Sequence, residues 1–269
     1  MKHILITGST DGIGKLLALR LAKEGHFVAI HGRSDAKLSA TLKEIKQQSN
    51  NENVIGFLAD FSDLNAAKKM AKEVAEKMPV IDVLVNNAGV LMTNSNSGTT
   101  DIRFVVNYFA PYVLTNGIVA NLKASDAPRI VNLSSAAQST INVQALEGKA
   151  GLGANEAYAQ SKLALTMWSF YLAEQEPSIT VVAVNPGSLL NTKMAKEAYG
   201  QYWSPAEKGV DILYNLSMTD LAKTGQYFDN DKGSYAPAHD DAYNKDKITN
   251  LLRVTDFILS DYPYKRTTE

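Results

Sequence analysis

A tyrosine and a lysine lie four residues apart in the stretch EAYAQSKLALT, which runs from Glu156 to Thr166. Because about four residues make one helical turn, Tyr158 and Lys162 would share one face of a helix. A phenol and an ammonium are both groups that can exchange protons. The alternative is an ordinary amphipathic helix, with Leu163 turned toward the core and Lys162 in water. The rest of the sequence has to decide between these two interpretations.

A glycine-rich segment, TGSTDGIG from Thr7 to Gly14, follows the first apolar run and precedes the first helical pattern. Glycines there permit a tight turn, let the backbone approach a pyrophosphate, and point the N–H groups of a helix N-terminus at it. The spacing is one residue longer than GxGxxG and lacks the Lys-Ser/Thr of a P-loop, which argues against nucleoside triphosphate hydrolysis. Glycines also form turns that bind nothing. At a first strand-to-helix junction, dinucleotide binding is the favoured interpretation.

Short apolar runs alternate with longer helical patterns along the chain. The runs are continuous and rich in Val and Ile, as is typical of strands buried on both faces. This alternation predicts an α/β fold with a single Rossmann-type, doubly wound parallel sheet and helices on both faces, and we expect one domain over residues 1–269. Ligands bind such sheets beyond the carboxyl ends of the strands. The predicted strands are His3–Thr7, Phe27–His31, Val54–Leu58, Val80–Asn86, Arg129–Ser134 and Ile179–Asn185, and the predicted helices are Ile13–Glu24, Asp35–Ser49, Asp63–Met78, Val106–Lys123 and Tyr158–Glu174.

The composition excludes several classes of function. The 27 basic residues nearly balance the 28 acidic residues, so no global charge favours nucleic acid or an anionic membrane as a partner. The sequence has no cysteine, which excludes disulfides, thiolate catalysis and cysteine-bound metal. No apolar run has the length of a signal peptide or a membrane span, so we expect a cytoplasmic protein. No metal site is predicted, because the four histidines are scattered: His3, His26, His31 and His239.

Several separated motifs together resemble those of the short-chain dehydrogenase/reductase family. The similarity runs over residues 1 to about 195, and the C-terminal part resembles a last strand, loop and helix only loosely. In chain order the motifs are TGSTDGIG at Thr7–Gly14, Asp60 after the third strand, NNAG at Asn86–Gly89, Asn107 in the following helix, the serines Ser134 and Ser135, YAQSK at Tyr158–Lys162, and NPG at Asn185–Gly187.

The resemblance implies a catalytic role for four residues. Tyr158 would donate a proton to a carbonyl oxygen, while Lys162 would hold the nicotinamide ribose and lower the phenol pKa from its usual value near 10. Ser135 would orient the substrate oxygen, and Ser134 would face the scaffold. Asn107 would kink its helix and position a water that relays protons to Lys162. A polar residue at an ordinary helix bend is the alternative for Asn107.

The end of the second strand distinguishes the two nicotinamide cofactors. An acidic residue there binds the ribose hydroxyls, whereas an arginine accommodates the 2′-phosphate of NADP. Because the sequence reads His-Gly-Arg-Ser at this point, we expect NADP(H) to be favoured over NAD(H), with Arg33 and Ser34 at the phosphate. A solvated loop residue is the alternative for Arg33, since Asp35 is close by. Asp11 also stands where many NADP enzymes of the family carry a basic residue.

The remaining cofactor contacts are expected from the same motifs. Asn86 and Asn87 would support the pocket with their side-chain amides, although a plain Asn-Gly turn is an alternative. Asp60 would contact the adenine, or cap a helix that begins near Ser62. Thr192 is a further expected contact, with one more residue between it and Gly187 than the family commonly has. The full set of predicted cofactor residues is Gly8, Ser9, Thr10, Asp11, Gly12, Ile13, Gly14, Arg33, Ser34, Asp60, Phe61, Asn87, Ala88, Gly89, Tyr158, Lys162, Pro186, Gly187 and Thr192.

Two segments are expected to shape the substrate pocket. Residues 136–157 read as a loop beside it, in which Ile141, Val143 and Leu146 are possible apolar contacts for substrate. Residues 188–205 have the aromatic content of a substrate lid, and a packing helix is the alternative there.

The sequence therefore predicts an enzyme that moves a hydride between NADP(H) and a small-molecule carbonyl or alcohol substrate. Two other classes stay open: a regulatory protein that binds NADP(H) without turnover, and a dehydratase or epimerase on the same fold. By analogy, a homodimer or homotetramer would form through the helices that carry Asn107 and Tyr158.

Overall fold

The computed structural model describes residues 1–93 and 99–260, so the last nine residues of the predicted domain, 261–269, lie outside the described part. One sheet of eight strands runs through it, in the order β3-β2-β1-β4-β5-β6-β7-β8. Strands β1 to β7 are parallel, and β8 pairs with β7 in the antiparallel sense. The strands are β1 (His3–Ile6), β2 (Phe27–Gly32), β3 (Val54–Leu58), β4 (Val83–Asn86), β5 (Arg129–Leu133), β6 (Thr180–Asn185), β7 (Gln226–Asp229) and β8 (Ser234–Tyr235).

Helices cover both faces of the sheet, which confirms the predicted fold class. The helices are α1 (Gly12–Lys23), α2 (Asp35–Ser49), α3 (Leu64–Lys77), α4 (Ile102–Phe104), α5 (Ala110–Lys123), α6 (Val143–Leu146), α7 (Ala154–Gln175), α8 (Lys193–Tyr199), α9 (Ala206–Met218) and α10 (Lys245–Ser260). A π-helical turn (Val105–Phe109) joins α4 to α5, and a 3₁₀ turn (Asp240–Tyr243) precedes α10. None of the helices in residues 1–93 and 99–260 is both long and apolar enough to cross a membrane.

The continuous apolar strands are explained by two separate cores. Leu5 of β1 packs into the core beneath α3, α5 and α7. Ile4 and Ile6, its neighbours along the strand, pack on the opposite face with α1, α2 and α9. Because alternate residues of a strand face opposite sides of the sheet, a doubly covered strand is buried on both faces and is apolar at nearly every position.

The strand order reverses beside β1, which pairs with β2 on one side and with β4 on the other. In open parallel sheets this reversal leaves a crevice beyond the carboxyl ends of the two diverging strands. The segments that follow β1 and β4 are TGSTDGIG and NAG, so the topology brings two of the predicted motifs together.

Two local predictions differ from the structure. The helix expected near Ser62 begins at Leu64, and its N-cap is Asp63, which accepts a hydrogen bond from the backbone N–H of Asn65 at 2.9 Å. Asp60 therefore does not cap it; its carboxylate closes a tighter turn by accepting from the backbone N–H of Ser62 at 2.9 Å. The single helix predicted from Val106 to Lys123 is interrupted by the π turn, which contains Asn107.

Candidate functional site

The glycine-rich loop is held in place by the segment after β4. The Asn87 side-chain amide donates to the carbonyls of Thr7 at 2.8 Å and Gly8 at 2.9 Å. In the other direction, the Thr7 hydroxyl accepts from the backbone N–H groups of Asn87 and Ala88, both at 3.0 Å. Asn87 thus satisfies backbone groups of another loop, which is more than a plain Asn-Gly turn would do.

Close approach between these two segments explains two of the glycines. A Cβ on Gly8 would lie 2.7 Å from Cα of Ala88, and Gly8 has a φ of +61°, which disfavours other residues. A Cβ on Gly14 would lie 2.4 Å from the amide nitrogen of Asn87. The glycines therefore serve a tight contact between loops in addition to any ligand.

His31, at the end of β2, links three strand ends. Its Nδ1 accepts from the backbone N–H of Gly8 at 3.0 Å, and its Nε2 lies 2.9 Å from the carbonyl of Ala59. Only the neutral Nε2–H tautomer satisfies both bonds, because Nδ1 must accept and Nε2 must donate. Burial lowers the pKa of His31 to about 4, outweighing the hydrogen bond to Ala59 and the charge of Asp60. The ring stacks on Phe61 with centroids 4.1 Å apart.

A cavity of about 980 Å³ opens beyond the carboxyl ends of the strands. Most of the predicted cofactor residues line it. The predicted residues among its walls are Gly8, Thr10, Asp11, Gly12, Ile13, Arg33, Ser34, Asp60, Phe61, Asn87, Ala88, Gly89, Ser135, Tyr158, Lys162, Pro186, Gly187 and Thr192.

Three predicted site residues lie behind the cavity wall. Ser9 is fully buried, where its hydroxyl donates to the carbonyl of Ile6 at 2.7 Å and accepts from the backbone N–H of His31 at 2.9 Å. Gly14 packs against Asn87, and Asn107 is fully buried in the π turn. Their contribution to the site in this structure is to shape the loops, and direct contact with a ligand stays a prediction for them.

Basic and hydroxyl groups meet at one end of the cavity. Arg33 is exposed there, and the neighbouring Ser34 is the N-cap of α2, with its hydroxyl accepting from the backbone N–H of Lys37 at 3.5 Å. Lys37 also lines the cavity and is not among the residues predicted from the sequence. Its position in the first turn of a helix that starts at the strand end was the available signal. Two cations beside a helix N-terminus suit an anionic group.

The glycine loop carries an acidic residue where it meets α1. Asp11 is the N-cap of α1, and its carboxylate accepts from the backbone N–H of Gly12 at 2.7 Å. Thr192, the N-cap of α8, faces the same loop, with its methyl 3.8 Å from where a Cβ on Gly12 would lie. The cap explains the aspartate at this position without a ligand.

Ser135, Tyr158 and Lys162 converge on the opposite end of the cavity. Ser135 follows β5, and its side chain hydrogen-bonds the Tyr158 phenol. Tyr158 and Lys162 lie in α7, and the ammonium of Lys162 is 5.5 Å from the centre of the tyrosine ring. Lys162 is buried and donates to the carbonyl of Leu133 at 2.7 Å. The lysine in water that the amphipathic alternative requires is therefore not observed.

Burial dominates the acid–base properties of this group. It raises the pKa of Tyr158 to about 12; the Ser135 hydrogen bond opposes that shift, and the nearby Tyr199 adds to it. Burial also lowers the pKa of Lys162 to about 8. The expected lowering of the phenol pKa is therefore not seen in this structure, because removing a phenolate from water costs more than the Ser135 hydrogen bond returns. Tyr158 is a protonated donor at neutral pH.

Asn107 ties the π turn to both neighbouring loops. Its side-chain oxygen accepts from the backbone N–H of Val90 at 2.8 Å. Its amide donates to the carbonyl of Val90 at 3.0 Å and to the hydroxyl of Ser161 at 2.9 Å. Both the Asn107 oxygen and Lys162 Nζ border Gly89, at 3.3 and 3.5 Å from where a Cβ would lie. Asn107 lies where the helix departs from α geometry into a π turn, and both the kink and the water relay stay predictions.

Part of the cavity wall is mainly apolar. It includes Leu91, Met92, Ile102 and Val106, and the 188–205 segment adds Leu189, Met194, Tyr199 and Trp203. That segment contains the short helix α8, closed at its base where the backbone N–H of Trp203 donates to the carbonyl of Leu189 at 2.8 Å. It is thus both a helix and a cavity wall.

The 136–157 segment differs from its prediction. Ile141, Val143 and Leu146 do not line the cavity; Leu146 is fully buried, and the other two pack against the same core. The segment is also not one loop, because it contains α6 and the start of α7. Only Ala136 and Ala137 from it reach the cavity wall.

The sequence is similar to that of known dehydrogenases. The sequence model described as short chain dehydrogenase matches residues 2–203. Polyprenol dehydrogenase from Homo sapiens is 32% identical over 207 residues, covering 72% of this chain and 62% of that protein. The chain therefore spans less than two thirds of that relative. Retinol dehydrogenase 12 from Mus musculus is 34% identical over 272 residues, covering 94% of this chain and 85% of the relative.

The fold is similar to that of a solved structure as well. A short chain dehydrogenase from Escherichia coli CFT073, complexed with NADPH, superimposes with a TM-score of 0.71 at 27% identity. The match covers 85% of this chain and 96% of that structure.

Proposed function

The chain belongs to the short-chain dehydrogenase family, and from this membership we propose that it transfers hydride between NADP(H) and a carbonyl or alcohol carbon. The observation that carries the proposal is the convergence of Ser135, Tyr158 and Lys162 on the cavity that the glycine loop also lines. Hydroxyl, phenol and ammonium then surround one point at the end of a crevice suited to a dinucleotide.

The residues present fit such a cofactor. Gly8 and Gly14 leave no room for side chains, and the loop between them presents the N-terminus of α1 to the cavity. We propose that this loop holds the pyrophosphate, that Asp60 and Phe61 border the adenine, and that Lys162 holds the nicotinamide ribose. When bound, the nicotinamide supplies or accepts the hydride.

The chain's own residues would manage the proton and the substrate oxygen. Ser135 donates a hydrogen bond to that oxygen, which orients it and polarises the carbonyl. Tyr158, protonated at neutral pH, donates the proton as the oxygen becomes an alcohol. In the reverse direction the phenolate would take the proton back, and the cationic form of Lys162 would stabilise it.

Preference for NADP(H) over NAD(H) is supported by charge at the far end of the cavity. Arg33 and Lys37 lie beside the Ser34 N-cap, where a 2′-phosphate would gain charge-assisted hydrogen bonds. The similar solved structure from Escherichia coli is complexed with NADPH, which agrees with this assignment.

An apolar alcohol or aldehyde is the substrate class we propose. The cavity walls at Leu91, Met92, Ile102 and Val106 would take up hydrocarbon, and the two relatives are named for retinol and polyprenol, which are apolar alcohols. We also propose that the protein is cytoplasmic and that it forms a homodimer or homotetramer.

The test is cofactor consumption across a panel of aldehydes and ketones of increasing chain length, with NADPH and NADH run in parallel. We expect net NADPH oxidation that is fastest with the apolar members. NADPH binding without consumption would favour the regulatory alternative, and turnover of a substrate with no net consumption would favour a dehydratase or epimerase.

A further inference from the structure

Tyr227 of β7 reaches the loop that carries Ser135. Its phenol donates to the carbonyl oxygen of Ser135 at 3.0 Å. In the sheet register, Tyr227 pairs with Ala183 and Ala183 with Asn132, so the hydrogen bond joins β7 to the turn after β5 across the intervening strand β6. Tyr227 is only 4% exposed, and its ring belongs to the core that also contains residues of α7.

A second side chain donates a hydrogen bond to the same carbonyl. The Gln138 amide donates to the Ser135 oxygen at 2.9 Å and is also hydrogen-bonded to the Tyr227 phenol. Its own oxygen accepts from the backbone N–H of His239 at 3.2 Å. Ser135 O is therefore held from β7 and, through Gln138, from the segment before the 3₁₀ turn.

These contacts fix where the Ser135 hydroxyl points. Its oxygen accepts from the backbone N–H of Ala137 at 3.1 Å, which occupies a lone pair and leaves the hydroxyl proton free to be donated. The Ser135 side chain has two torsions, χ1 and the hydroxyl rotor. The bonds to its carbonyl hold the backbone that carries χ1, and the Ala137 N–H and the Tyr158 phenol hold the hydroxyl itself.

We propose that Tyr227 is a positioning residue for the reaction, holding the Ser135 hydroxyl in line with Tyr158 and the substrate oxygen. This inference rests on the proposed function, since it gives Ser135 the role described there. Tyr227 does not line the cavity, and its hydrogen bond to the residues that do is the one to the Ser135 carbonyl. Burial raises the pKa of the Tyr227 phenol, with Asp229 adding to the shift, so the donor stays protonated throughout the working pH range.

The test is a double-mutant cycle of Tyr227→Phe and Ser135→Ala, read as kcat, substrate KM and NADPH Kd. In the wild-type background we expect Tyr227→Phe to lower kcat by about tenfold, because small displacements of a positioned group cost rate steeply. KM and Kd should stay within about twofold. In the Ser135→Ala background the same change should alter kcat by less than about twofold, because the group it positions is gone.

Tyr235→Phe is the matched control. The Tyr235 phenol also donates to a backbone carbonyl, that of Leu221 at 2.7 Å, on the neighbouring strand β8 and away from the cavity. It should lose stability while keeping kcat. Gln138→Leu removes the second donor to Ser135 and should lower kcat in the same direction, which keeps the proposal testable should Tyr227→Phe fold poorly.

The outcomes separate the two proposals. The positioning role would be overturned if Tyr227→Phe kept the wild-type kcat, or if it lowered kcat equally in both backgrounds. It would also be overturned if Tyr235→Phe lowered kcat by the same factor. Wild-type kcat in Ser135→Ala would instead contradict the proposed function from which the role is inferred.

Discussion

The amide nitrogen of Asn87 occupies the space that a methyl group on Gly14 would need, 2.4 Å from where that Cβ would lie. Asn87 cannot move aside freely, because the same nitrogen donates to the carbonyls of Thr7 and Gly8. The glycine loop and the segment after β4 are therefore one unit.

Gly14→Ala is expected to disrupt that unit. Overpacking should lower the free energy of unfolding by roughly 1–3 kcal/mol and weaken NADPH binding, because the loop that faces the pyrophosphate must shift. Gly151→Ala is the matched control, since a Cβ there meets nothing within 4 Å. Denaturant unfolding and NADPH titration of both variants would check this; equal behaviour of the two would contradict the assignment.

Arg33→Ala should separate the two cofactors. Loss of a charge-assisted contact to the 2′-phosphate is expected to raise KM for NADPH about tenfold or more, while KM for NADH stays unchanged. Arg253→Ala removes an exposed arginine of α10, paired with Asn250 at 2.9 Å, and serves as the control. The alternative of a solvated loop residue predicts no change for either cofactor.

His31 should make stability depend on pH. Its folded-state pKa of about 4 lies below the ordinary 6.5, so the unfolded chain binds the proton first as the pH falls. The stability that the neutral ring contributes is complete above pH 6.5 and is lost between 6.5 and about 4. From pH 7 to pH 5 this loss amounts to about 2 kcal/mol.

His31→Gln is the comparison for that prediction, because an amide can accept from Gly8 and donate to Ala59 without titrating in this range. Urea unfolding of both proteins at pH 7, 6 and 5 would isolate the histidine, since all other groups are shared. Parallel pH curves would rule out the buried neutral ring.

Lys162→Met is expected to stabilise the fold while abolishing activity. The folded-state pKa of Lys162, about 8, lies below the ordinary 10.5, so the buried ammonium destabilises the protein at pH 7. That cost diminishes as the pH rises from about 8 toward 10.5. We expect a gain of roughly 1–3 kcal/mol at pH 7, limited by the donor that Leu133 loses, and a smaller gain at pH 9.5.

Unfolding of Lys162→Met and the wild type at the two pH values would measure this difference. A variant that is less stable than the wild type at pH 7 would mean that the lysine is held by interactions that outweigh its burial.

The sequence predicted the sheet well because its strands are buried on both faces. Val54–Leu58 has the same bounds in the prediction and the structure. Val80 and Ile81, predicted to be strand, precede β4 instead; the backbone N–H of Ile81 donates to Asn121 rather than to a neighbouring strand. A buried apolar run does not reveal which of its backbone groups find a strand partner.

Site residues were predictable where their motifs lie at the ends of strands. They were not predictable where they depend on contacts with residues far away in the sequence. The convergence of Ser135 with Tyr158 follows from β5 and α7 meeting at one sheet edge. The contact of Tyr227 with Ser135 spans 92 residues and leaves no local pattern. The raised pKa of Tyr158 likewise depends on burial by the assembled cavity, which spacing alone does not give.

The most direct test of the account is the steady-state rate of NADPH oxidation by Tyr158→Phe with the best carbonyl substrate, alongside its NADPH affinity. Removing only the phenolic hydroxyl should lower kcat by at least about a hundredfold, the scale of a lost general acid, while NADPH Kd stays within about twofold. A variant that keeps the wild-type rate would contradict the assignment of Tyr158 as the proton donor.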